Sequence, residues 1–166
     1  MKPIKRALRN AEKLTGNLAA AGSNLAKAGE MAVASGQVIA RRVALGQAAM
    51  TEPANGDFAE FWRMISEKTT AFSAAGTVWL QRSERFAAHA AELAANEMAV
   101  ATHAMMSMAA YRSPAAFASA QTGFASAWCG RAMSHSIEMT AMALKCQETM
   151  MAPVLRAVRG NAKRLG

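Results

Sequence analysis

The sequence has few of the residues that build a thick hydrophobic core or a β-sheet. Ten of its 166 residues are aromatic, four are proline and two are cysteine. Long runs of valine and isoleucine are absent, which disfavours a sheet. What is abundant is alanine, at 41 residues, and alanine forms helices well but buries little side chain. The composition therefore predicts a single all-α domain built from thin, elongated helices.

Catalytic side chains are scarce as well. The chain has one aspartate, Asp57, and one tyrosine, Tyr111. The nearest approach to a metal-ligand pair is His135 with Glu138, and a lone pair three residues apart on a helix predicts a surface contact instead. No phosphate-binding loop, dinucleotide-binding glycine motif or nucleophile elbow is present. We predict a protein that is not an enzyme and holds no metal or other cofactor.

The cysteines and the ends of the sequence predict a cytoplasmic protein. Cys129 and Cys146 stand 17 residues apart without a ligand pattern around them, which predicts two free thiols in a reducing cytosol. No apolar run of signal-peptide length follows the basic N-terminus. The most apolar window, residues 99–111, is too short to cross a bilayer.

The net charge of +8 is unevenly distributed. Residues 1–50 carry eight basic and two acidic side chains, residues 51–144 six and eight, and residues 145–166 five and one. Basic ends suit an anionic partner, which is nucleic acid, an anionic lipid surface or the acidic middle of a neighbouring molecule.

Turn-forming residues divide the chain into three helical segments. Residues 51–56 predict one break, with Pro53 and Asn55-Gly56 as the turn-forming residues. Ser113 and Pro114 predict a second, with Ser113 as a helix cap and Pro114 at the first helical position. Pro153 is expected to end or kink the last helix. The predicted helices are residues 4–50, 57–111 and 114–151, within domain divisions of 1–56, 57–152 and 153–166, the last being a basic tail.

The second segment carries large apolar residues at a strict seven-residue spacing, which we call the heptad stripe. Its members are Phe58, Ile65, Phe72, Trp79, Phe86, Leu93 and Val100. The line four residues further on begins with Trp62 and continues with mostly small or polar residues. A strict heptad favours a left-handed supercoil against another helix. We therefore predict a hairpin or coiled-coil-like bundle of long amphipathic helices.

The third segment has an amphipathic face with an eleven-residue spacing, which we call the hendecad stripe. Its members include Phe117, Gln121, Phe124, Trp128, Met139, Met142 and Met150. Eleven residues in three turns is close to the period of a straight helix. Gln121 is expected either at an interhelical hydrogen bond or in solvent. Stripes at helical spacing usually pack within the protein, and the two stripes are expected to pair with each other. Because so few large residues cannot cover the apolar faces of three helices, both stripes are also predicted to serve self-association or adsorption to a hydrophobic surface.

Glycines interrupt the first segment. Six apolar residues lie near one helical face, namely Ile4, Leu8, Leu18, Leu25, Val33 and Val43. Five glycines stand among them, and each costs a helix roughly 0.8–1 kcal/mol relative to alanine. We expect a loosely ordered helical segment that becomes ordered when its apolar face meets a surface. A disordered basic arm is the alternative.

The sequence around the second turn, SPAAFASAQTGFASAWCGRAMSHSIEMTAMALKCQETMMAPVLRAVRGNAKR, resembles the C-terminal half of the phasins. In that family a helix break that begins with serine is followed by a short apolar stretch, a glutamine and an aromatic residue. A long helix comes next, and the sequence ends with proline and basic residues. The matching positions here are Ser113, Phe117, Gln121, Phe124, Pro153 and Arg156. The resemblance covers residues 57–165 and departs in its Trp- and Met-rich apolar face and in its few late acidic residues.

The resemblance implies a coat protein of polyhydroxyalkanoate granules, the intracellular carbon stores of bacteria. Such proteins are helical, often oligomeric and not enzymes, and they control the size and number of granules. The heptad stripe, Trp62 and the hendecad stripe then become the expected granule-binding and self-association surfaces. Two alternatives stay open, a basic nucleic-acid-associated helical protein and a general amphipathic protein of lipid surfaces.

Overall fold

The computed structural model describes residues 2–51 and 58–165, and these form three long α-helices. The helices are α1, Lys2–Thr51, α2, Phe58–Ala109, and α3, Pro114–Leu165. No strand occurs in these two described ranges, so the all-α prediction is confirmed. Of the break predicted at residues 51–56, Thr51 is the last residue of α1 and the others lie outside the described residues.

The second turn is built as the sequence predicts. The Ser113 hydroxyl oxygen accepts from the backbone N–H of Ala116 at 3.5 Å. The Ser113 carbonyl accepts from the N–H of Phe117 at 3.0 Å. Pro114 is the first residue of α3, a position where a backbone N–H has no helical partner and the fixed φ of proline suits the helix. The break is therefore a capped corner between two long helices.

Pro153 does not end α3, contrary to one of the two outcomes expected from the sequence. The helix continues through it to Leu165, although proline cannot donate the hydrogen bond that the carbonyl four residues earlier would accept. Leu155, two residues further on, is buried, so side-chain packing holds this part of the chain in place. The basic end of the sequence is thus the last three turns of α3.

The three helices group into two compact units, each of which takes a portion of every helix. The first unit comprises Met1–Asn17 and Ser83–Ala143, and the second comprises Leu18–Arg82 and Leu144–Gly166. The domain divisions after residues 56 and 152 stay predictions. The glycine-interrupted segment was predicted to be helical, and it forms one continuous helix, α1. The expectation that this helix is loosely ordered in the free protein stays a prediction.

Few side chains are buried among the described residues. The buried hydrophobic residues are Val38, Ala71, Ile137 and Leu155, and the buried polar residues are Asn17 and Asn24. No large side chain in the described part of the chain is fully buried. This follows from the alanine-rich composition, because helices with small side chains approach each other closely but bury little area.

Candidate functional site

The heptad stripe on α2 is largely exposed. The exposed fractions are 65% for Phe72, 51% for Trp79 and 38% for Phe86. Trp62, on the neighbouring line, is 68% exposed. Ile65 and Val100 are also exposed and Leu93 is half-buried, while the side chain of Phe58 lies outside the described part. The stripe is thus a surface of large apolar groups. Its exposure falls from Phe72 to Leu93, while Ile65 and Val100 at its two described ends are each 40% exposed.

The period of the stripe accounts for the fall in exposure from Phe72 to Leu93. A strict seven-residue repeat drifts by about 20° per heptad around a straight α-helix. In the second unit the inward side of α2 is marked by Ala71, which is buried, and by Glu67, Ala75, Val78 and Arg82, which are half-buried. In the first unit the drift brings Leu93 to the inward side, beside Glu97 and Ala104. The large residues of the second unit therefore point away from the inward side.

The hendecad stripe on α3 is partly exposed. Phe117 and Trp128 are exposed, and Phe124 is half-buried. The methionines Met139, Met142 and Met150 are also half-buried. Gln121 is exposed, so of its two expected positions, an interhelical hydrogen bond or the solvent, the structure has the second. The aromatic part of this stripe is thus the part with the most accessible area.

A charged cluster joins α2 to α3 in the first unit. Arg131 donates through Nε to Glu97 Oε1 at 2.6 Å and through Nη2 to Glu97 Oε2 at 3.1 Å. Its guanidinium carbon lies 5.9 Å from the centre of the Phe124 ring, within the range of a cation–π contact. The Arg131 hydrogen bonds lower the pKa of the Glu97 carboxyl below 4.5, against the opposing effect of desolvation. The cluster stabilises the pairing of the two helices.

The histidine and glutamate that the sequence analysis paired have other partners. His135 Nε2 lies 3.3 Å from Glu97 Oε1, and Glu138 accepts from Lys13 Nζ at 2.6 Å. The spacing on one helix could not show this, since Glu97 lies on α2 and Lys13 lies on α1. The described residues contain no group of three or more His, Cys, Asp or Glu side chains placed to hold a metal ion.

The side of α1 that faces α3 is polar. In the first unit Asn17 Nδ2 donates to the Ile137 carbonyl at 2.9 Å. In the second unit Asn24 Nδ2 donates to the Leu144 carbonyl at 2.9 Å. In the first unit the partner advances from Ser134 for Asn10 to Ile137 for Asn17. In the second unit it advances from Leu144 for Asn24 to Arg159 for Glu30. The two helices therefore run parallel in each unit. Sequence reasoning missed this face, although asparagines at 10, 17 and 24 share the seven-residue spacing that marks a helix contact.

The apolar face predicted on α1 is turned away from the protein. All six of its residues are exposed, from 54% at Val43 to 75% at Leu25. A helix of a globular protein ordinarily buries its apolar stripe and exposes its polar face. At Asn17 and Asn24 α1 has the reverse arrangement, with amides directed inward and aliphatic side chains directed outward, whereas further along the helix Val38 is buried.

Several basic residues of the chain ends are paired within the chain. Lys27 Nζ lies 2.8 Å from Glu148 Oε1, and Arg159 donates two hydrogen bonds to Glu30 at 2.5 and 2.7 Å. Glu148 also accepts from Lys145 at 2.7 Å. The hydrogen bonds from Lys145 and then Lys27 lower the pKa of Glu148 to about 2. Part of the basic charge that suggested an anionic partner is therefore neutralised internally.

A groove in the first unit between α1 and α3 has a volume of about 620 Å³. Its walls are mainly alanine, glycine and larger aliphatic residues, and Arg6 and Asn10 are among its polar groups. No histidine, cysteine or carboxylate belongs to the lining that the structure describes, so the groove brings together no nucleophile with a base. Cys129 is exposed and Cys146 is half-buried, and both are free thiols. None of the described helices has an apolar stretch of the length and hydropathy that a bilayer crossing needs.

The fold and these surfaces define a helical protein that presents apolar side chains to its surroundings. A family model described as phasin protein matches residues 59–158, which cover α2 and most of α3. The chain therefore belongs to the phasin family, whose members are associated with polyhydroxyalkanoate granules, and the resemblance seen in the sequence is confirmed. No curated protein and no solved structure matches the chain.

Proposed function

We propose that this phasin coats polyhydroxyalkanoate granules in the cytoplasm by adsorbing through the exposed heptad stripe of α2, and thereby controls granule size and number. The observation that carries the proposal is the exposure of Phe72 and Trp79 together with Trp62, inside the part of the chain that the family model matches. The protein has no catalytic task in this role.

The energetics of exposure support adsorption. Removing a large apolar side chain from water contributes about 1.5–3 kcal/mol, and a polyester surface offers ester and methylene groups in place of water. Monomeric soluble proteins rarely leave contiguous apolar patches in water unless these bind something. The aromatic residues of the hendecad stripe, Phe117 and Trp128, give α3 exposed area of the same kind within the first unit.

The charged residues supply the second half of a coat. Once the apolar side lies on polymer, the charged side chains stay in water. A net charge of +8 then gives coated granules a common sign, and this repulsion opposes coalescence. Control of granule size follows, because the amount of protein limits the total surface that can be covered.

Co-sedimentation with native polyhydroxybutyrate granules tests the proposal, with anionic liposomes in parallel and both at low and high salt. We expect binding to granules that resists salt, since hydrophobic adsorption does not weaken as counterion-driven binding does. The variant with Trp62→Ser, Phe72→Ser and Trp79→Ser should lose most of the granule-bound fraction.

A matched control changes Met98, Met105 and Met106 to serine, because these residues are exposed to a similar degree on the same helix but lie off the stripe. This control should bind like the unchanged protein. Equal loss in both variants would contradict a role for the stripe in particular. Binding only to liposomes would favour a general protein of lipid surfaces. Binding to nucleic acid that falls steeply with salt would favour a nucleic-acid-associated protein.

A further inference from the structure

The outward face of α1 has a pattern beyond the six apolar residues seen in the sequence. Two adjacent lines run along it with seven-residue spacing, and we call them together the α1 seam. The first line is Ile4, Ala11, Leu18, Leu25, Ala32, Ile39 and Gly46, and the second is Leu8, Thr15, Gly22, Gly29, Gly36, Val43 and Met50. All fourteen residues are exposed. Alternating steps of four and three residues are the spacing of a coiled-coil contact.

The glycines of the seam have no purpose within the chain itself. A Cβ built at Gly22, Gly29 or Gly36 would have no described atom within 4 Å. Glycine lowers helix stability relative to alanine, and alanine is otherwise the commonest residue here. Three glycines at successive heptad positions on an exposed face are therefore costly without a partner, and the absent Cβ atoms leave room for another helix to approach closely.

We propose that the α1 seam binds the α1 seam of a second copy of this chain, with the two helices antiparallel. In the register that overlaps the helices from end to end, Leu18 lies opposite Gly36 of the second copy and Leu25 lies opposite Gly29. Leu8 lies opposite Gly46 in the same register. Three large residues, Leu8, Leu18 and Leu25, thus meet a glycine. Ile4 lies opposite Met50, Val43 opposite Ala11 and Ile39 opposite Thr15. The two-fold symmetry of a dimer repeats every such contact.

The antiparallel direction follows from packing. In a parallel pair in register, each glycine of the seam faces its own copy and leaves a void, and voids in a packed interface are destabilising. A large residue over a glycine fills that space. The strict heptad also predicts a left-handed supercoil for the pair.

The seam is also of the size that a dimer needs. A stable interface takes about 800 Å² from each partner, contributed by about 20–30 residues. The fourteen seam residues with the small residues beside them reach that number. A polymer surface, in contrast, makes no use of glycines spaced by heptads, which is why we assign this face to a second helix.

The proposal is independent of the granule-binding role of α2, because α1 lies outside the residues that the family model matches. Sedimentation equilibrium of the full-length protein measures it, with Gly29→Gln as the variant and Gly16→Gln as the matched control. Gly16 lies on α1 off the seam and also has open space around its Cβ position. Both changes replace a helical glycine with a better helix former, so neither should lower the midpoint of thermal unfolding in dilute solution.

We expect Gly29→Gln to raise the dissociation constant of the self-associated form at least tenfold, whereas Gly16→Gln leaves it unchanged. The Gly29→Gln variant should still sediment with granules. Unchanged self-association of Gly29→Gln, an equal effect of both changes, or a wild-type chain that stays monomeric at millimolar concentration would each overturn the proposal.

Pyrene excimer fluorescence tests the direction of pairing. The native thiols are removed by Cys129→Ser and Cys146→Ser, and a single label is attached after Ala26→Cys or after Gln47→Cys, both at exposed positions of α1. In the antiparallel pair the labels at 26 lie near the two-fold axis and form excimers. Those at 47 lie about 60 Å apart, at 1.5 Å of rise per residue. Excimers at both positions would show a parallel pair, and excimers at neither would exclude the seam.

Discussion

Two asparagines determine how α1 meets α3. Asn17 and Asn24 are buried at 8% and 3% exposure, and each donates its amide to a backbone carbonyl of α3. Because these bonds form at one position along the neighbouring helix, they select a register that aliphatic side chains would not select. A buried polar residue at a helix contact is the best-attested means of choosing register.

Replacing Asn17 by aspartate should therefore be costly. The change conserves shape and helix propensity but puts an acceptor oxygen against the Ile137 carbonyl, and it buries a charge. We expect a loss of about 2–3 kcal/mol in the free energy of unfolding at pH 7, measured by urea denaturation. The loss should shrink at acid pH, where a protonated carboxyl donates again. The exposed amide of Gln37 provides the control, and a loss in Gln37→Glu as large as in Asn17→Asp would contradict this explanation.

At the scale of the helix, the sequence predicted most boundaries but not which faces meet. Ser113 and Pro114 could be recognised because a cap and a first-turn proline have local causes. The inward face of α1 could not, because the carbonyls that satisfy Asn17 and Asn24 belong to residues 120 positions away. The heptad stripe was recognised as an element, but its exposure depends on the drift between its period and the inward side of α2.

Pro153 was expected to end or kink α3, and the helix does not end there. An interior proline costs a helix about 3 kcal/mol, yet α3 continues because Leu155 and its neighbours pack against the rest of the second unit. This proline penalty applies to an isolated helix, and tertiary packing in the folded protein outweighs it.

The two prolines of α3 should consequently respond differently to substitution. Pro153→Ala restores a backbone donor within the helix and should raise the free energy of unfolding by about 1–3 kcal/mol. Pro114→Ala, at the first helical position, should change it by less than about 0.5 kcal/mol, because no hydrogen bond is gained there. Chemical denaturation of both variants measures the difference. Equal effects would mean that the α3 hydrogen bonds around residue 153 are already replaced by other partners.

At the scale of the whole molecule, ion pairs between helices take the place of a thick core. Among the described residues, a glutamate is the acidic partner in each of these ion pairs: Lys13–Glu138, Lys27–Glu148, Glu30–Arg159, Glu97–Arg131 and Glu67–Arg164. The sequence showed a basic excess at both ends but not that it meets acidic residues of the same chain. The carboxyl pKa values of Glu30, Glu97 and Glu138 are lowered by their hydrogen bonds to Arg159, Arg131 and Lys13.

These glutamates predict a loss of stability in acid. A carboxyl whose pKa is lower in the folded than in the unfolded chain stabilises the fold above the unfolded value and loses that contribution as pH falls. For Glu148 the loss runs from about pH 4.5 to about pH 2. We expect the free energy of unfolding to decline over this interval, and Glu148→Gln to flatten the decline.

An NMR titration of Glu148 in the folded protein tests the cause directly. Its carboxyl carbon should titrate with a midpoint near the pKa of about 2. A midpoint at the ordinary value of 4.5, or an unchanged acid profile in Glu148→Gln, would show that Lys27 and Lys145 do not stabilise the carboxylate in solution.

The amide-to-carbonyl bonds between α1 and α3 also bear on how this protein can diverge in sequence. Every residue type supplies a backbone carbonyl, so the bond that Asn24 makes to residue 144 does not depend on which side chain that position carries. Substitutions at residue 144 leave this bond intact as long as they fit the space. The asparagine, which also donates to Gln147 Oε1 at 3.2 Å, admits no substitute with the same reach. Amino-acid substitutions should therefore accumulate at residue 144 of α3 and be selected against at residue 24 of α1.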